Sequence, residues 1–324
     1  MEVKVEVPVE ELKKFLEEVI VNPDWLYIYV PASIGDFLID CGLSYAAQIK
    51  KKKSATVIIA QERMKYLGLS YENIVGIIPL PNELNICLDT TVKVKKFYER
   101  DNFIFGNVRE EDNISYDKNL NVIEGFKKYV FGLPLNAPFI PPTIAPLSEE
   151  NISSLHEKYN LNRRRTIILC PHSKSLKMLD KNFWIELASE LKKRNFIVYT
   201  NVANDDEAPV DYTEPIQTNF PELNYIADKV KCFIGRRSGV IDFLALTKAQ
   251  ILNIGDFPNW RWDISFMYPF AQSQTFYNAI DLYDYVEENL YSKGLTPEIL
   301  DEHIATEDVF FSYDELMEKI LEVF

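Results

Sequence analysis

The sequence has no hydrophobic run long enough to cross a membrane. No segment approaches the roughly 18 to 20 consecutive apolar residues that a transmembrane helix needs. The first fifteen residues, MEVKVEVPVEELKKF, lack the apolar core of a signal peptide. We therefore expect a cytoplasmic protein.

Thiol and imidazole groups are scarce. The 324 residues include four cysteines and three histidines. The cysteines, Cys41, Cys87, Cys170 and Cys232, are far apart in the chain and have no zinc-binding spacing. At least two of them lie in apolar, strand-like segments, which is typical of buried thiols in a reducing compartment. The sequence predicts no metal site and no cofactor.

Positive charge is also in short supply. The chain has 35 lysines and arginines against 49 aspartates and glutamates, a formal net charge of −14. A general nucleic-acid binder needs a basic field to contact phosphates, so the sequence argues against this class of protein and we expect no nucleic-acid partner. Any basic site must be local.

What the sequence does contain is a repeated alternation of apolar and amphipathic segments. Continuous apolar runs are typical of parallel strands covered by helices on both faces. In the first half these runs are WLYIYV (25–30), ATVIIA (55–60), IVGIIPL (74–80) and NFIFG (102–106). In the second half they are RTIILC (165–170), FIVYT (196–200), KCFIG (231–235) and QILNIG (250–255).

A proline-rich segment separates the two halves. Residues 132–147, GLPLNAPFIPPTIAPL, hold five prolines, which disfavours both helix and central strand. The sequence therefore predicts an α/β fold with two Rossmann-like domains facing across a cleft, the first over residues 1–140 and the second over 141–312. A terminal helix is predicted over 313–324.

Asp36 follows the first predicted strand, at the start of the next helix. A carboxylate in the first turn is the ordinary complement of a helix dipole. The alternative is a general base, because ligands of such sheets bind beyond the carboxyl ends of the strands and a carboxylate can take a proton from a substrate hydroxyl. Both interpretations stay open on the residues alone.

A polar loop follows the strand that ends at Cys170. It contains His172, Ser173, Lys174, Ser175 and Lys177 before a helix opens near residue 181. Hydroxyls and lysines at a strand end can hold a phosphate, although the glycines of a Walker loop are missing. The alternative is a solvated basic loop, with His172 in a structural role.

The segment FIGRRSGVIDFLAL (233–246) predicts a strand that leads into a helix. Two arginines, Arg236 and Arg237, stand at the turn, and Ser238 and Gly239 begin the helix. Helix N–H groups and guanidinium forks together suit a diphosphate. Arg237 is the better candidate for contact with such a ligand, and Arg236 is expected to pair with an acidic residue. The alternative is that both arginines are merely exposed or paired with acidic residues.

Three regions in order, IGDFLI, PHSKSLKMLDKNFWIELASELKKRNFIVYTN and LNYIADKVKCFIGRRSGVIDFLALTKAQILNIG, resemble the signature regions of the heptosyltransferase-like family 9 glycosyltransferases, which have the GT-B fold. The resemblance implies that Asp36 is the catalytic base. It implies that Lys177, seven residues before Trp184, contacts the donor phosphate. It also implies that Ser238 and Gly239 open the diphosphate-binding helix. The same resemblance implies that 1–140 is the acceptor-side domain, that 141–312 binds the nucleotide sugar, and that the terminal helix (313–324) packs back on the first domain.

The sequence departs from this family at two positions. Heptosyltransferases usually have an aspartate before that serine and a histidine a few residues after it, where this chain has Arg237 and then Ile241 or Asp242. The aspartate is thought to engage sugar hydroxyls, so the sugar stays open. The motif is also similar to bacterial surface-polysaccharide transferases that use other sugars.

The resemblance implies an inverting hexosyl- or heptosyltransferase, with a nucleotide-diphosphate sugar as donor and a glycan, lipid or protein hydroxyl as acceptor. No Asp-x-Asp triplet occurs in the sequence, which favours metal-independent catalysis with fixed cations meeting the leaving group. Two alternatives are a nucleotide-sugar 2-epimerase of GT-B fold, which consumes donor without acceptor, and a non-catalytic glycosyltransferase-like partner protein.

One further segment, IKKKKS (49–54), suits a peripheral contact with anionic lipid. The alternative is a solvated complement to the helix dipole, because lysines are common at the carboxyl ends of helices.

Overall fold

A computed structural model describes residues 9–30, 33–84, 100–106, 120–173, 178–203, 207–255, 268, 270–278 and 310–324. The chain divides into two compact units, Met1–Ala145 and Pro146–Phe324. Each unit contains a parallel β-sheet with helices, as the apolar runs predict.

The first unit begins with a helix and continues as strands joined by helical crossovers. Its elements are α1 (Val9–Val19), β1 (Trp25–Val30), α2 (Ile34–Lys50), β2 (Ala55–Ala60), a 3-10 turn (Glu62–Met64), α3 (Lys65–Gly68), β3 (Ile74–Pro79), a 3-10 turn (Asn82–Leu84), β4 (Phe103–Phe105), α4 (Val122–Gly125) and a π-helical turn (Phe126–Val130).

The four strands of the first sheet lie in the order β3-β2-β1-β4, and every pair is parallel. Alternate residues of β1 point to opposite faces. Tyr27 and Tyr29 join Leu12 and Leu16 of α1 in one buried cluster. Burial on both faces explains why WLYIYV is apolar throughout.

The second unit is built in the same way with more strands. Its elements are α5 (Glu149–Lys158), β5 (Thr166–Cys170), α6 (Lys181–Lys193), β6 (Ile197–Asn201), β7 (Glu214–Ile216), α7 (Phe220–Ile226), β8 (Cys232–Arg236), α8 (Gly239–Ala245), β9 (Gln250–Gly255), β10 (Gln272–Asn278), β11 (Phe310–Phe311) and α9 (Tyr313–Glu322).

The second sheet is parallel, in the order β11-β10-β9-β8-β5-β6-β7. The chain starts at β5, builds outward through β6 to β7, and then returns to the other side of β5 with β8. The place where the strand order reverses, here called the switch point, lies between β5 and β8. In the first sheet the corresponding switch point lies between β1 and β4.

The terminal helix α9 packs on the second unit. Leu316, Ile320 and Leu321 belong to the same buried cluster as Phe183 and Trp184 of α6. The core of the second sheet takes up this apolar face, and Arg194 donates a hydrogen bond to the carbonyl of Leu321 at 2.6 Å. The expectation that this helix also packs back on the first domain stays a prediction.

Three cysteines, Cys41, Cys170 and Cys232, are buried free thiols, as expected, and Cys87 lies outside the described residues. Among the helices that the structure describes, none combines the length and the apolar character that a bilayer crossing requires.

Gly235 allows β5 and β8 to pack closely at the switch point. A Cβ atom at this position would lie 2.6 Å from both the Cβ and the carbonyl oxygen of Cys170. Gly235→Ala should therefore lower the free energy of unfolding by about 1 to 3 kcal/mol through overpacking, as measured by urea denaturation.

Gly76→Ala is the matched control, because nothing lies within 4 Å of a Cβ built at this strand glycine. This variant should leave stability unchanged or raise it by up to about 1 kcal/mol. Equal effects of the two substitutions would contradict the close packing at Gly235.

Candidate functional site

The acidic residue that follows β1 is Asp36, the third residue of α2. Ser33 is the N-cap of this helix, so the capping position belongs to the serine and not to the aspartate. The Ser33 hydroxyl donates a hydrogen bond to Oδ2 of Asp36 at 3.0 Å. Asp36 is 7% exposed. Its carboxylate is thus oriented from a rigid helix start, in the first turn where the dipole favours negative charge.

The switch point of the first sheet brings the end of β4 close to α2. Gly106 follows β4 and donates its N–H to the carbonyl of Tyr29 on β1 at 2.8 Å. A Cβ atom at Gly106 would collide with the carboxylate of Asp40. The backbone can follow this path after β4 because residue 106 is a glycine and has no Cβ atom.

Asp40 is a second carboxylate on α2, one turn after Asp36, and it is fully buried. Burial, together with the charge of Asp40, raises the pKa of the neighbouring Cys41 thiol. Sequence reasoning missed this residue. The available signal was a charge in IGDFLIDCGL, a segment that is otherwise almost free of polar side chains. Both carboxylates lie on the helix that packs beside the first switch point.

In the second unit, the loops that follow β5 and β8 meet. The register pairs Cys170 with Gly235, so the two strands end side by side. Ser173, in the loop after β5, donates its hydroxyl to the carbonyl of Arg237, in the loop after β8, at 2.9 Å. Two of the three sequence-predicted regions are thereby joined at the switch point of the second sheet.

Arg237 forms a two-pronged ion pair with Asp242 on α8. Its Nε and Nη2 donate to Oδ1 and Oδ2 of Asp242, each at 3.2 Å. The side chains are 14% and 3% exposed. The sequence analysis expected Arg236 to pair with an acidic residue and Arg237 to contact the donor. The structure pairs Arg237 with Asp242, and its contact with the donor stays a prediction. The fork of a guanidinium matches a carboxylate in this geometry.

Arg236 is the last residue of β8 and has no exposed surface. It lies in the middle of the sheet, where its register partner on β9 is Ile254. A buried guanidinium is costly unless its charge and donors are matched. Arg236 thus carries a buried positive charge at the carboxyl end of β8, one of the two strands that form the switch point.

The remaining predicted residues have mainly local roles where the structure describes them. Ser238 is the N-cap of α8 and accepts a hydrogen bond from the N–H of Ile241 at 3.4 Å, and Gly239 is the first residue of the helix. The helix start predicted there is confirmed. His172 contacts the carbonyl of Ala208 through Nε2 at 3.1 Å. Lys177 lies outside the described residues.

The thiols near this switch point are inert. Burial raises the pKa of Cys232 to about 12 and shifts that of Cys170 upward as well. Both cysteines therefore stay protonated near neutral pH and are poor nucleophiles. In the described part of the chain, no group of three or more histidine, cysteine, aspartate or glutamate side chains is placed to hold a metal ion.

Comparison with known proteins gives matches in structure only. No protein-family model matches the sequence, and no curated protein matches it significantly. A glycosyl transferase of family 9 from Veillonella parvula matches with a TM-score of 0.60 at 10% identity, over 94% of this chain and 97% of that one.

Two E. coli proteins are also similar in structure. The ADP-heptose lps heptosyltransferase II matches with a TM-score of 0.54 at 13% identity, over 86% of this chain and 97% of that one. The heptosyltransferase WaaC, in a structure with ADP, matches with a TM-score of 0.50 at 10% identity, over 82% of this chain and 99% of that one. This chain has the fold of these glycosyltransferases. The fold expected from the three sequence regions is confirmed.

The Arg237–Asp242 pair should contribute to stability as well as to the site. Asp242→Asn removes the negative charge and leaves a mostly buried guanidinium uncompensated. We expect the free energy of unfolding to fall by about 3 kcal/mol, since breaking a buried pair on one side is strongly destabilising. Chemical denaturation measures the change.

The control is Asp211→Asn, which breaks the exposed pair between Lys181 and Asp211, whose side chains are 70% and 51% exposed. Such pairs contribute under about 1 kcal/mol. If Asp242→Asn costs no more than this control, Arg237 is not held by the ion pair.

Proposed function

We propose that this protein is an inverting glycosyltransferase, which transfers a sugar from a nucleotide-diphosphate donor to a hydroxyl of a glycan, lipid or protein acceptor. The observation that carries the proposal is the contact between Ser173 and Arg237 at the second switch point. Ligands of open parallel sheets bind outside the carboxyl ends of the strands at such a point. The fold shared with family 9 and heptosyltransferase structures supports the same assignment.

The donor is assigned to the second unit. A diphosphate placed at the ends of β5 and β8 would meet the Ser173 loop on one side and Arg237 on the other. Arg236 would add positive charge from the end of β8. Ser238 and Gly239, with His172 and Lys177, complete the proposed set of donor contacts. One structural neighbour is described with ADP, which supports a nucleoside diphosphate as the leaving group.

The base is assigned to Asp36 in the first unit. Its Oδ2 accepts the Ser33 hydroxyl, which orients the carboxylate that would take the proton. In the proposed step, the acceptor hydroxyl gives its proton to this carboxylate while its oxygen attacks the anomeric carbon. The bond from that carbon to the diphosphate oxygen breaks, and the configuration inverts. General-base assistance of this kind is typically worth about 10²- to 10⁴-fold in rate.

The sugar of the donor stays open. The aspartate that heptosyltransferases place before the helix serine is replaced by Arg237, and this arginine is held by Asp242. A guanidinium donates hydrogen bonds and accepts none. A sugar bound beside it must therefore present acceptor oxygens, including those of a carboxylate or a phosphate.

A panel of nucleoside diphosphates and nucleotide sugars tests the proposal. A ligand at 100 times its dissociation constant stabilises the folded protein by about 2.7 kcal/mol, which raises the thermal midpoint. The stabilising donor is then incubated with and without candidate acceptors. Turnover that needs an acceptor supports a transferase, whereas turnover without one supports the 2-epimerase. Binding without any turnover supports a non-catalytic partner protein.

Asp36→Asn should abolish transfer while keeping the fold and the donor affinity. The amide keeps the size and most hydrogen bonds of the carboxylate but cannot take a proton. We expect kcat to fall by about 10²- to 10⁴-fold with little change in the dissociation constant of the donor. Steady-state kinetics and calorimetric titration measure the two quantities.

Glu124→Gln is the matched control, because Glu124 is also a carboxylate in the first turn of a helix of the same unit. It completes the capping box of α4 with Asn121. This variant should keep normal kcat. Near-normal transfer by Asp36→Asn would reduce Asp36 to a helix-start residue and refute its assignment as the base.

Transfer should proceed in the presence of EDTA. The sequence has no Asp-x-Asp triplet, and in this proposal Arg237, with the buried Arg236 acting through its charge, would stabilise the leaving diphosphate. Activity is measured after chelation and again after adding manganese or magnesium. Loss of transfer on chelation, with recovery on adding either ion, would show that a metal carries this charge instead.

A further inference from the structure

The first unit contains a basic cavity of about 990 Å³. Part of its lining is a run of lysines, Lys50, Lys51 and Lys52, at the carboxyl end of α2, and Arg100 stands beside them. Lys50 is fourteen residues after Asp36 in the same helix, which corresponds to about 21 Å along the axis. The cavity is therefore separate from the proposed catalytic base.

Positive charge dominates this cavity although the chain as a whole carries −14. Asp101 is the carboxylate in the lining, and it is already engaged by the ammonium groups of Lys53 at 3.0 Å and Lys51 at 3.6 Å. Hydrogen bonding and charge from Lys53, then the charge of Lys51, lower the pKa of Asp101. The carboxylate is thus held ionised, and the lining keeps an excess of cations over anions.

Lys52 has a backbone conformation that a glycine would adopt at less cost. Its φ is 54°, in the left-handed region. The N–H groups of Lys52 and Lys53 bond to the carbonyls of Ile49 and Gln48, each at 3.0 Å, which is the Schellman arrangement at a helix end. Glycine is usual at this position, and a non-glycine residue there costs of order 1 kcal/mol.

The side chain at this strained position has no internal role in the described part of the chain. The Lys52 side chain makes no hydrogen bond or ion pair there. The left-handed backbone serves the end of α2, which a glycine would serve at less cost, so the lysine side chain itself is open to a role in binding. Lys52 also belongs to the lining of the cavity.

The lining also contains aromatic residues. Tyr129 and Phe131 line the cavity from the π-helical turn and its end. Phe103 and Phe105 of β4 contribute as well, although both belong to the buried cluster that includes α1. A ligand here would meet both cations and aromatic residues.

We propose that this cavity binds a phosphate group attached to an apolar or sugar moiety. A phosphate monoester carries about −1.5 to −2 charges at neutral pH and three strong acceptor oxygens. Lysine ammonium groups, each with three donors that rotate freely, suit such a group from several directions. The attached moiety packs on the phenylalanine and tyrosine rings. A soluble phosphate ester and a phospholipid headgroup share this chemistry.

Phenyl phosphate, inorganic phosphate and phosphatidylcholine vesicles with or without phosphatidylglycerol are the probes. Titration calorimetry measures the soluble probes, and co-sedimentation measures the vesicles. We expect phenyl phosphate to bind more tightly than inorganic phosphate, because only phenyl phosphate has a ring that can pack on the aromatic residues of the lining. Binding should weaken as salt is added. The readout does not depend on sugar transfer, so failure here and failure of the proposed function are distinguishable.

Lys52→Gly separates binding from folding. Glycine fits the left-handed backbone, so the thermal midpoint should rise or stay the same while affinity falls about tenfold, the effect of one charge-assisted hydrogen bond. The double variant with Lys51→Gln should lose about a hundredfold. The control is Asn195→Gly, which changes another left-handed residue, at the end of α6, and should leave binding unchanged.

Each outcome decides the proposal. Phenyl phosphate binding that the lysine variants weaken supports a soluble ester, and binding to phosphatidylglycerol vesicles alone, weakened by the same variants, supports a lipid headgroup. Absence of binding to every probe overturns the proposal. Binding that survives unchanged in the Lys51→Gln, Lys52→Gly double variant overturns it equally, because the bound anion then lies elsewhere.

Discussion

Reversal of strand order within a parallel sheet is the constraint on which the account of this molecule depends. Where the connections after two adjacent strands run in opposite directions along the sheet, the loops that follow these strands separate and leave a gap between them. In the second unit this gap lies after β5 and β8, and Ser173 bonds across it to Arg237. Gly235 permits the close approach of the two strands. Loop chemistry, rather than the sheet itself, then decides what is bound.

The first unit has a switch point of the same kind, but the charged residues beside it are acidic. Its switch point is flanked by Asp36 and by the buried Asp40, whereas that of the second unit is flanked by Arg236 and Arg237. In the proposed function, the carboxylate of the first unit removes a proton and the guanidinium groups of the second stabilise the leaving anion. Helix α2 carries Asp36 in its first turn and ends at the lysines of the basic cavity, so both proposals draw on this element.

The strands that the sequence predicted best are those covered on both faces. The runs 25–30, 55–60 and 250–255 coincide with β1, β2 and β9, because full burial makes every residue apolar. β10 was not predicted, since its sequence QSQTFYN is mostly polar and its pairing with β9 and β11 is set by tertiary context. For a related reason, the apolar face of 313–324 predicted the helix α9 but not the core that it covers, which includes Phe183 and Trp184.

The candidate site was predicted in part. Apolar strands that run into polar loops indicated Asp36, Ser173 and the two arginines, but not the ion pair between Arg237 and Asp242. That pair depends on α8, because Asp242 lies in its first turn, next to Arg237. Asp40 was missed because a buried charge in an apolar helix is recognised only once its neighbours in the fold, such as Gly106, are known.

Amide hydrogen exchange of the whole chain, with and without a saturating nucleoside diphosphate, tests the central claim most directly. The account predicts slower exchange in the loops that end β5 and β8, at residues 172–173 and 236–239, with the amides of β3 unchanged. Absence of any protection in these two loops, or protection confined to the first unit, would contradict the assignment of the donor to the second switch point.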